Sequence, residues 1–132
     1  MAFSFAHSRH DETLIRIGPI GLDMSVRLSR ESSGGALTII ETVNRPGFGP
    51  PLHRHAETEV FHVLEGCYLF EVDGRRFTGE GGDVISVPGG TAHAFVNIGH
   101  SPARQLVMIL PGLDATSFFR GLGAVMQGGN VP

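Results

Sequence analysis

The stretch Gly47-Phe48-Gly49-Pro50-Pro51-Leu52-His53-Arg54-His55-Ala56-Glu57-Thr58-Glu59-Val60-Phe61-His62-Val63-Leu64-Glu65-Gly66 decides the fold. Its skeleton is Gly47-x5-His53-x-His55-x3-Glu59-x6-Gly66. A second skeleton follows it, Gly82-x5-Pro88-x-Gly90-x2-His93-x3-Asn97. At residue usages of a few percent each, ten such matches at set spacing should arise by chance less than about once in a billion sequences. His53, His55 and Glu59 share odd positions, so a strand of period two sends all three to one face. His93, Phe95 and Asn97 share a face in the same way. If both strands bend into one mouth, three imidazoles and a carboxylate converge on one point.

Working outward, the flanks read as short strands between turns. Leu22, Met24, Val26 and Leu28 alternate with polar residues. Glu31 to Gly35 is turn chemistry, and Ala36 to Val43 is the returning strand. Glu59–Leu64 and Cys67–Val72 form the next pair. Asp73-Gly74 is the strongest hairpin signal in the chain. Arg75 to Thr78, Val84 to Val87, Ala92 to Asn97 and Arg104 to Leu110 complete a set of about nine strands, with residues from Leu14 contributing the first. Asp114 can cap a short C-terminal α-helix over about 114–122, with Phe118, Phe119 and Leu122 on adjoining turns. Residues 1–12 read as a flexible or swapped arm and 127–132 as a frayed end. The expectation is one all-β domain over 1–132, with its core at about 22–112.

Composition removes several function classes. The chain has 132 residues, 41% of them hydrophobic, a size and content suited to a single core. Its 19 glycines and 8 prolines are spread between apolar runs and so read as turns. The net charge of −3, without a basic block, leaves no footprint for nucleic acid or anionic lipid. All 10 basic residues are arginine. Without lysine there can be no Schiff base and no phosphate-loop lysine. Cys67 stands alone, so no internal disulfide forms. No secretory signal or spanning segment is apparent, and the expected location is cytoplasmic.

The ligand chemistry is borderline to hard. Neutral imidazole and carboxylate suit one divalent transition metal: Fe, Mn, Ni, Co, Cu or Zn. No thiolate takes part, which rules out a cysteine-type structural zinc site. Four protein ligands, His53, His55, Glu59 and His93, leave a five- or six-coordinate ion one or two open positions. Asn97 reads as a structural residue bonding loop backbone. Phe61, Val63 and Phe95 share parity with the ligands and line the expected substrate pocket, with Met108 or its neighbour Val107 joining them. Simple core packing is the competing reading for all of these. Cys67 and Tyr68 read as core residues.

The two skeletons are those of the cupin superfamily, and every fixed position is matched. The stretches Pro50-Pro51-Leu52-His53-Arg54-His55, Val63-Leu64-Glu65-Gly66 and Val87-Pro88-Gly89-Gly90-Thr91-Ala92-His93-Ala94-Phe95 resemble the small, single-domain, quercetin-dioxygenase-like bacterial group. The resemblance covers about residues 22–122. It implies a jelly-roll β-barrel, a metal at its mouth on His53, His55, Glu59 and His93, and often a homodimer. His62 departs from the group, standing where many members carry tyrosine. Fold alone does not fix function. Three functions remain: a metal-dependent dioxygenase-like oxidoreductase on a small aromatic or dicarbonyl substrate, with Glu59 as possible base; a metal-dependent isomerase or lyase on a small keto acid or sugar; and a non-enzymatic small-molecule binding or sensing protein. The isomerase reading requires a cation near the metal, for which Arg104 is the candidate. Val60 and Leu64, flanking His62 on the outward face, would give a dimer interface its apolar centre.

Overall fold

A computed structural model describes residues 3–9, 13–17, 21–115 and 117–118. Among them lie nine strands: β1 Thr13–Ile17, β2 Leu22–Leu28, β3 Thr38–Asn44, β4 Thr58–Glu65, β5 Cys67–Val72, β6 Arg75–Glu80, β7 Val84–Val87, β8 His93–Asn97 and β9 Ala103–Leu110. They form a six-stranded sheet of order β1-β2-β3-β9-β4-β7 and a three-stranded sheet of order β6-β5-β8. Every pairing is antiparallel.

The two sheets face each other and share one core. Met24, Ile40, Phe61, Val63, Val87, Val107 and Ile109 come from the larger sheet, and Tyr68 and Phe70 from the smaller. Aromatic edges interlock across the gap. Phe61 meets Phe70 at 5.5 Å and Phe95 at 5.4 Å between ring centroids, both edge to face. Each such pair adds about 0.5–1.5 kcal/mol beyond the area it buries. The period-two reading of β2, β3, β4 and β9 therefore becomes burial on alternate residues.

Two parts of the expected architecture are corrected. The strands do not close into a barrel: β6 and β7 are the edges of different sheets and do not pair, nor do β1 and β8. β7 is only 4 residues long, and the β6–β7 seam stays open. The C-terminal helix is absent among the described residues. One turn forms at Asp114, whose Oδ1 accepts from the Ser117 amide at 3.2 Å and whose carbonyl accepts from Phe118 at 3.0 Å. A single turn does not make a stable helix. The remainder of the expected helix, from Phe119, falls outside the described residues.

Of the N-terminal arm, residues 3–9 have no regular structure; Ser4 donates to the Ser33 carbonyl at 3.0 Å, and Phe5 is 95% exposed. Among the described residues no helix is long and apolar enough to cross a membrane.

The motif glycines do the turning that their positions suggested. Gly47, Gly66, Gly82 and Gly90 all have positive φ, between 82° and 99°. Such conformations strain any residue with a Cβ. At Gly66 a Cβ would also lie 2.6 Å from that of Ala103, whereas at Gly82 it would meet nothing within 4 Å. Gly82→Ala should therefore cost about 1 kcal/mol of backbone strain alone, and Gly66→Ala clearly more. Urea unfolding of the two variants checks this, and equal losses would show that the Ala103 contact is unimportant.

Candidate metal centre

The two skeletons meet through the backbone. The His53 amide donates to the His93 carbonyl at 3.0 Å, and the His93 amide returns the bond at 2.9 Å. This isolated antiparallel bridge lays the loop before β4 against the start of β8. The Gly90 amide adds a bond to the His55 carbonyl at 2.7 Å, tying the Pro88–Gly90 turn to the second histidine. Asn97 bonds loop backbone as expected. Its amide nitrogen donates to the carbonyls of Asn44 (3.0 Å) and Ser101 (2.8 Å), and its oxygen accepts from Gly99 at 2.8 Å.

The bridge brings four side chains together. One ligand atom from each of His53, His55, Glu59 and His93 lies within 4.8 Å of all the others. Glu59 and His93 are 4% and 2% exposed. The ring nitrogens are already sorted. His53 Nδ1 donates to the Pro51 carbonyl and His93 Nδ1 to the Thr91 carbonyl, each at 2.8 Å. These bonds hold the proton on Nδ1 and leave Nε2 to face the cluster, as metal-binding imidazoles require. His55 Nδ1 is buried and lacks a hydrogen bond; the nearest carboxylate, Glu57, is 3.6 Å away. Its Nε2 makes a very short contact to Glu59 Oε1, which His93 Nε2 approaches at 3.3 Å. The donor set and its orientation fit one divalent transition metal.

The electrostatics agree. Burial alone would push the Glu59 carboxyl up, but hydrogen bonds from His55 and His93 outweigh it and hold it at about 2. Burial likewise opposes charge on His55, yet the Glu59 hydrogen bond and charge prevail and raise its pKa. Burial lowers that of His53, favouring the neutral ring that a metal needs.

The other expected residues divide. Phe61, Val63 and Phe95 lie on the inner face beneath the cluster, and Phe61 is 6.3 Å from His93 between centroids. Met108 does not join them. It sits opposite Val60 and Ile39, so it shares the outer face, while Val107 opposite Phe61 turns inward. Arg104 is also outward, bonded to Glu41 at 3.1 Å. His62 lies across from Leu106 and Val84 on that same outer face. Cys67 is half-buried on the outside of the smaller sheet, 4.0 Å from Glu80, rather than in the core.

Tyr68 is fully buried, its hydroxyl donating to Asn44 Oδ1 at 2.9 Å, and burial pushes its pKa well up. It lies four residues along β5 from Val72, the partner of His93, or about 13 Å away. It cannot serve as an acid at the cluster. One neighbour had no sequence signal beyond its aromatic character: Phe118, from the turn after Asp114, sets its ring edge-on to His55 at 5.5 Å.

Fold and site together define a class, an antiparallel β-sandwich that gathers histidine and carboxylate ligands from two neighbouring segments. The chain matches the model of the cupin domain over residues 41–109, just over half its length, and it belongs to that family. An uncharacterized protein of Methanocaldococcus jannaschii is 32% identical over 75 residues, covering 56% of this chain and 60% of that protein. Thus the match leaves a large part of that relative unaccounted for.

Similar structures include KdgF from a Halomonas species (TM-score 0.73, 16% identity, covering 86% of this chain and 99% of that one). A predicted oxalate decarboxylase from Thermotoga maritima is also similar (0.71, 24%, covering 82% and 99%). So is an oxalate oxidase (0.66, 20%, covering 82% and 61%). At these identities the likeness shows the fold.

Two outcomes follow from the cluster. The double variant His53→Ala/His55→Ala should lose stoichiometric metal by elemental analysis while keeping its β-sheet circular dichroism, because the core lies outside the site. Stoichiometric metal in that variant would disprove the ligand assignment.

The second concerns pH in the metal-free protein. Glu59, lowered from 4.5 to about 2, contributes stability that is full above 4.5 and lost as pH falls toward 2. His55, raised from 6.5, contributes stability that is full below 6.5 and lost as pH rises through its folded value. The pair therefore contributes most between these limits, and Glu59→Gln should flatten the profile. Proton NMR titration should place His55 above 6.5 in the parent protein and lower in the variant; a parent value below 6.5 would contradict the coupling.

Proposed function

We propose that the protein is a metal-dependent oxidoreductase of dioxygenase type, acting on a small aromatic or dicarbonyl substrate. The observation that carries this reading is the aromatic wall of Phe61 and Phe95 directly beneath a buried cluster of three imidazoles and a carboxylate. The finer likeness to the quercetin-dioxygenase-like group rests on the residues around the two motifs.

His53, His55, Glu59 and His93 would hold the metal, which when bound supplies Lewis acidity and redox chemistry toward a substrate oxygen and dioxygen. The chain's own residues prepare the site. Backbone carbonyls of Pro51 and Thr91 aim two imidazoles. Half-buried Phe95, backed by the buried ring of Phe61, would favour a flat, weakly charged molecule, while Val63, four residues along β4 from Glu59, packs the core behind them. Glu59 is a poor base while it is held ionised at about 2, so its first role is as a ligand; a base role requires it to leave the histidines.

The isomerase or lyase alternative needs a cation facing the metal, and Arg104 is turned away toward Glu41 and Glu65. A homodimer is part of the proposal. On the outer face of β4 and β9, Val60, Leu64, Leu106 and Met108 form half-buried apolar surface around His62, of the kind that a second copy covers.

The test begins with elemental analysis of protein purified without added metal, followed by incubation with flavonols and β-diketones while dioxygen is monitored. Near-stoichiometric Fe, Mn, Ni, Co or Cu with substrate-dependent uptake is expected. Bound metal without uptake across the panel would sink the oxidoreductase reading in favour of binding or sensing. Substrate-wall effects are best read in Phe95→Leu, which is half-buried. Phe61→Ala would cost about 3–5 kcal/mol of stability and obscure any change in activity.

A further inference from the structure

The unpaired edges of the two sheets leave a cleft of about 330 Å³ along the β6–β7 seam. Val72 and Phe77 on one side and Ile85 and Pro88 on the other give it apolar surface, and Ser86 and Thr91 add hydroxyls. Phe77 stacks one ring face on Phe70, 5.6 Å away and nearly parallel, yet stays 37% exposed. Two charged residues also line the cleft, Asp73 and Arg75. They flank Gly74 in the hairpin turn. Both are exposed to solvent at the mouth of the cleft, and among the described residues neither side chain is paired with another group. The neighbouring Arg76, on the other face of β6, is neutralised by Glu71 at 2.9 Å.

Register places Arg75 on the face that the cleft shares, although at the sheet edge it stays exposed. It pairs with Val72, which pairs in turn with His93, so the three stand in one row across the inner face of the smaller sheet. Two strand spacings, about 10 Å, separate the backbones of Arg75 and His93. The cleft thus lies beside the metal cluster and not within it, and its lining includes none of the four ligand residues.

We propose that this seam binds a small zwitterion of the amino-acid type with an apolar side chain. The Arg75 guanidinium would take the carboxylate, where its fork geometry gives two parallel hydrogen bonds. Asp73 would accept from the ammonium group, and the side chain would lie against Phe77, Ile85 and Pro88. A volume at the small end for ligand sites suits a single amino acid rather than a peptide or a nucleotide. Two opposite, unpaired charges favour a ligand that carries both over a simple anion. This inference is independent of the proposed oxidoreductase activity.

The test is an amide NMR titration of the full-length protein, repeated on His53→Ala/His55→Ala so that ligation by metal cannot account for a signal. The probes are L-phenylalanine, 3-phenylpropionate, which lacks the ammonium group, and 2-phenylethylamine, which lacks the carboxylate. L-phenylalanine should shift resonances at residues 72–77 and 85–91 in both proteins and bind more tightly than either analogue. Arg75→Gln should weaken it by roughly tenfold or more, as expected for loss of a charge-assisted contact. Asp73→Asn, which keeps a residue tolerant of the turn, should weaken L-phenylalanine and spare 3-phenylpropionate; Arg76→Gln should change neither. No binding up to the solubility limit of phenylalanine, shifts confined to the histidine cluster, or equal affinity in Arg75→Gln would overturn the site. Equal affinity for L-phenylalanine and 3-phenylpropionate would overturn the role of Asp73.

Discussion

The paired backbone hydrogen bonds between His53 and His93 are the constraint on which the site depends. They join the loop before β4, which belongs to the larger sheet, to the first residue of β8 in the smaller one. They act with the Gly90–His55 bond and with the bonds of Gly47 and Phe48 to Asn97, which tie the same loop to the turn before β8 and to its far end. With them, the ring nitrogens face one carboxylate at a separation that a single cation can bridge. The carbonyls of Pro51 and Thr91, each two residues from the histidine it holds, then set the orientation of two rings. Position comes from the bridge and orientation from the carbonyls.

The interior is layered along the strands, and the layers explain how a dry core and a charged cluster coexist. The histidines and Glu59 occupy one end. Phe61, Phe70 and Phe95 pack against one another in the next layer. Beyond them lies a polar layer with Tyr68, Asn44, Asn97, Thr42 and Gln105, all buried. A buried carboxylate without partners would be costly. Glu59 avoids that cost by accepting hydrogen bonds from two imidazoles. The burial that makes charge expensive also makes this pairing strong, which is why Glu59 and His55 shift in opposite directions.

Much of the site was legible because its signal is spacing. The ligand spacing, the turning glycines and the structural role of Asn97 follow from fixed intervals within short segments, but strand parity is not what gathers the ligands: β4 begins at Thr58, and His53 and His55 lie on the loop before it, past a bend at residues 56–57. What failed depended on information between segments. In β9 apolar residues occupy both parities from Leu106 onward, so alternation does not choose between Val107 and Met108; the polar Gln105 on the inner face makes the pattern less readable still. Whether β6 would meet β7 to close a barrel depends on how two edges approach, which a period of two does not encode. The helix expected after Asp114 rested on a cap and a few apolar residues, enough for the one turn observed. Cys67 and Tyr68 are adjacent on β5 and cannot both face the core; Tyr68 fills it, which turns Cys67 outward. Arg75 attracted no notice in sequence because its meaning comes from a row of partners across three strands.

X-ray absorption at the metal edge, on protein loaded with one equivalent of cobalt or manganese, tests the central claim most directly. The fine structure should fit three imidazole nitrogens and one carboxylate oxygen from the protein, and Glu59→Gln should change the oxygen contribution while keeping imidazole scattering. A first shell of oxygen alone, or fewer than three imidazoles in the parent protein, would contradict the account.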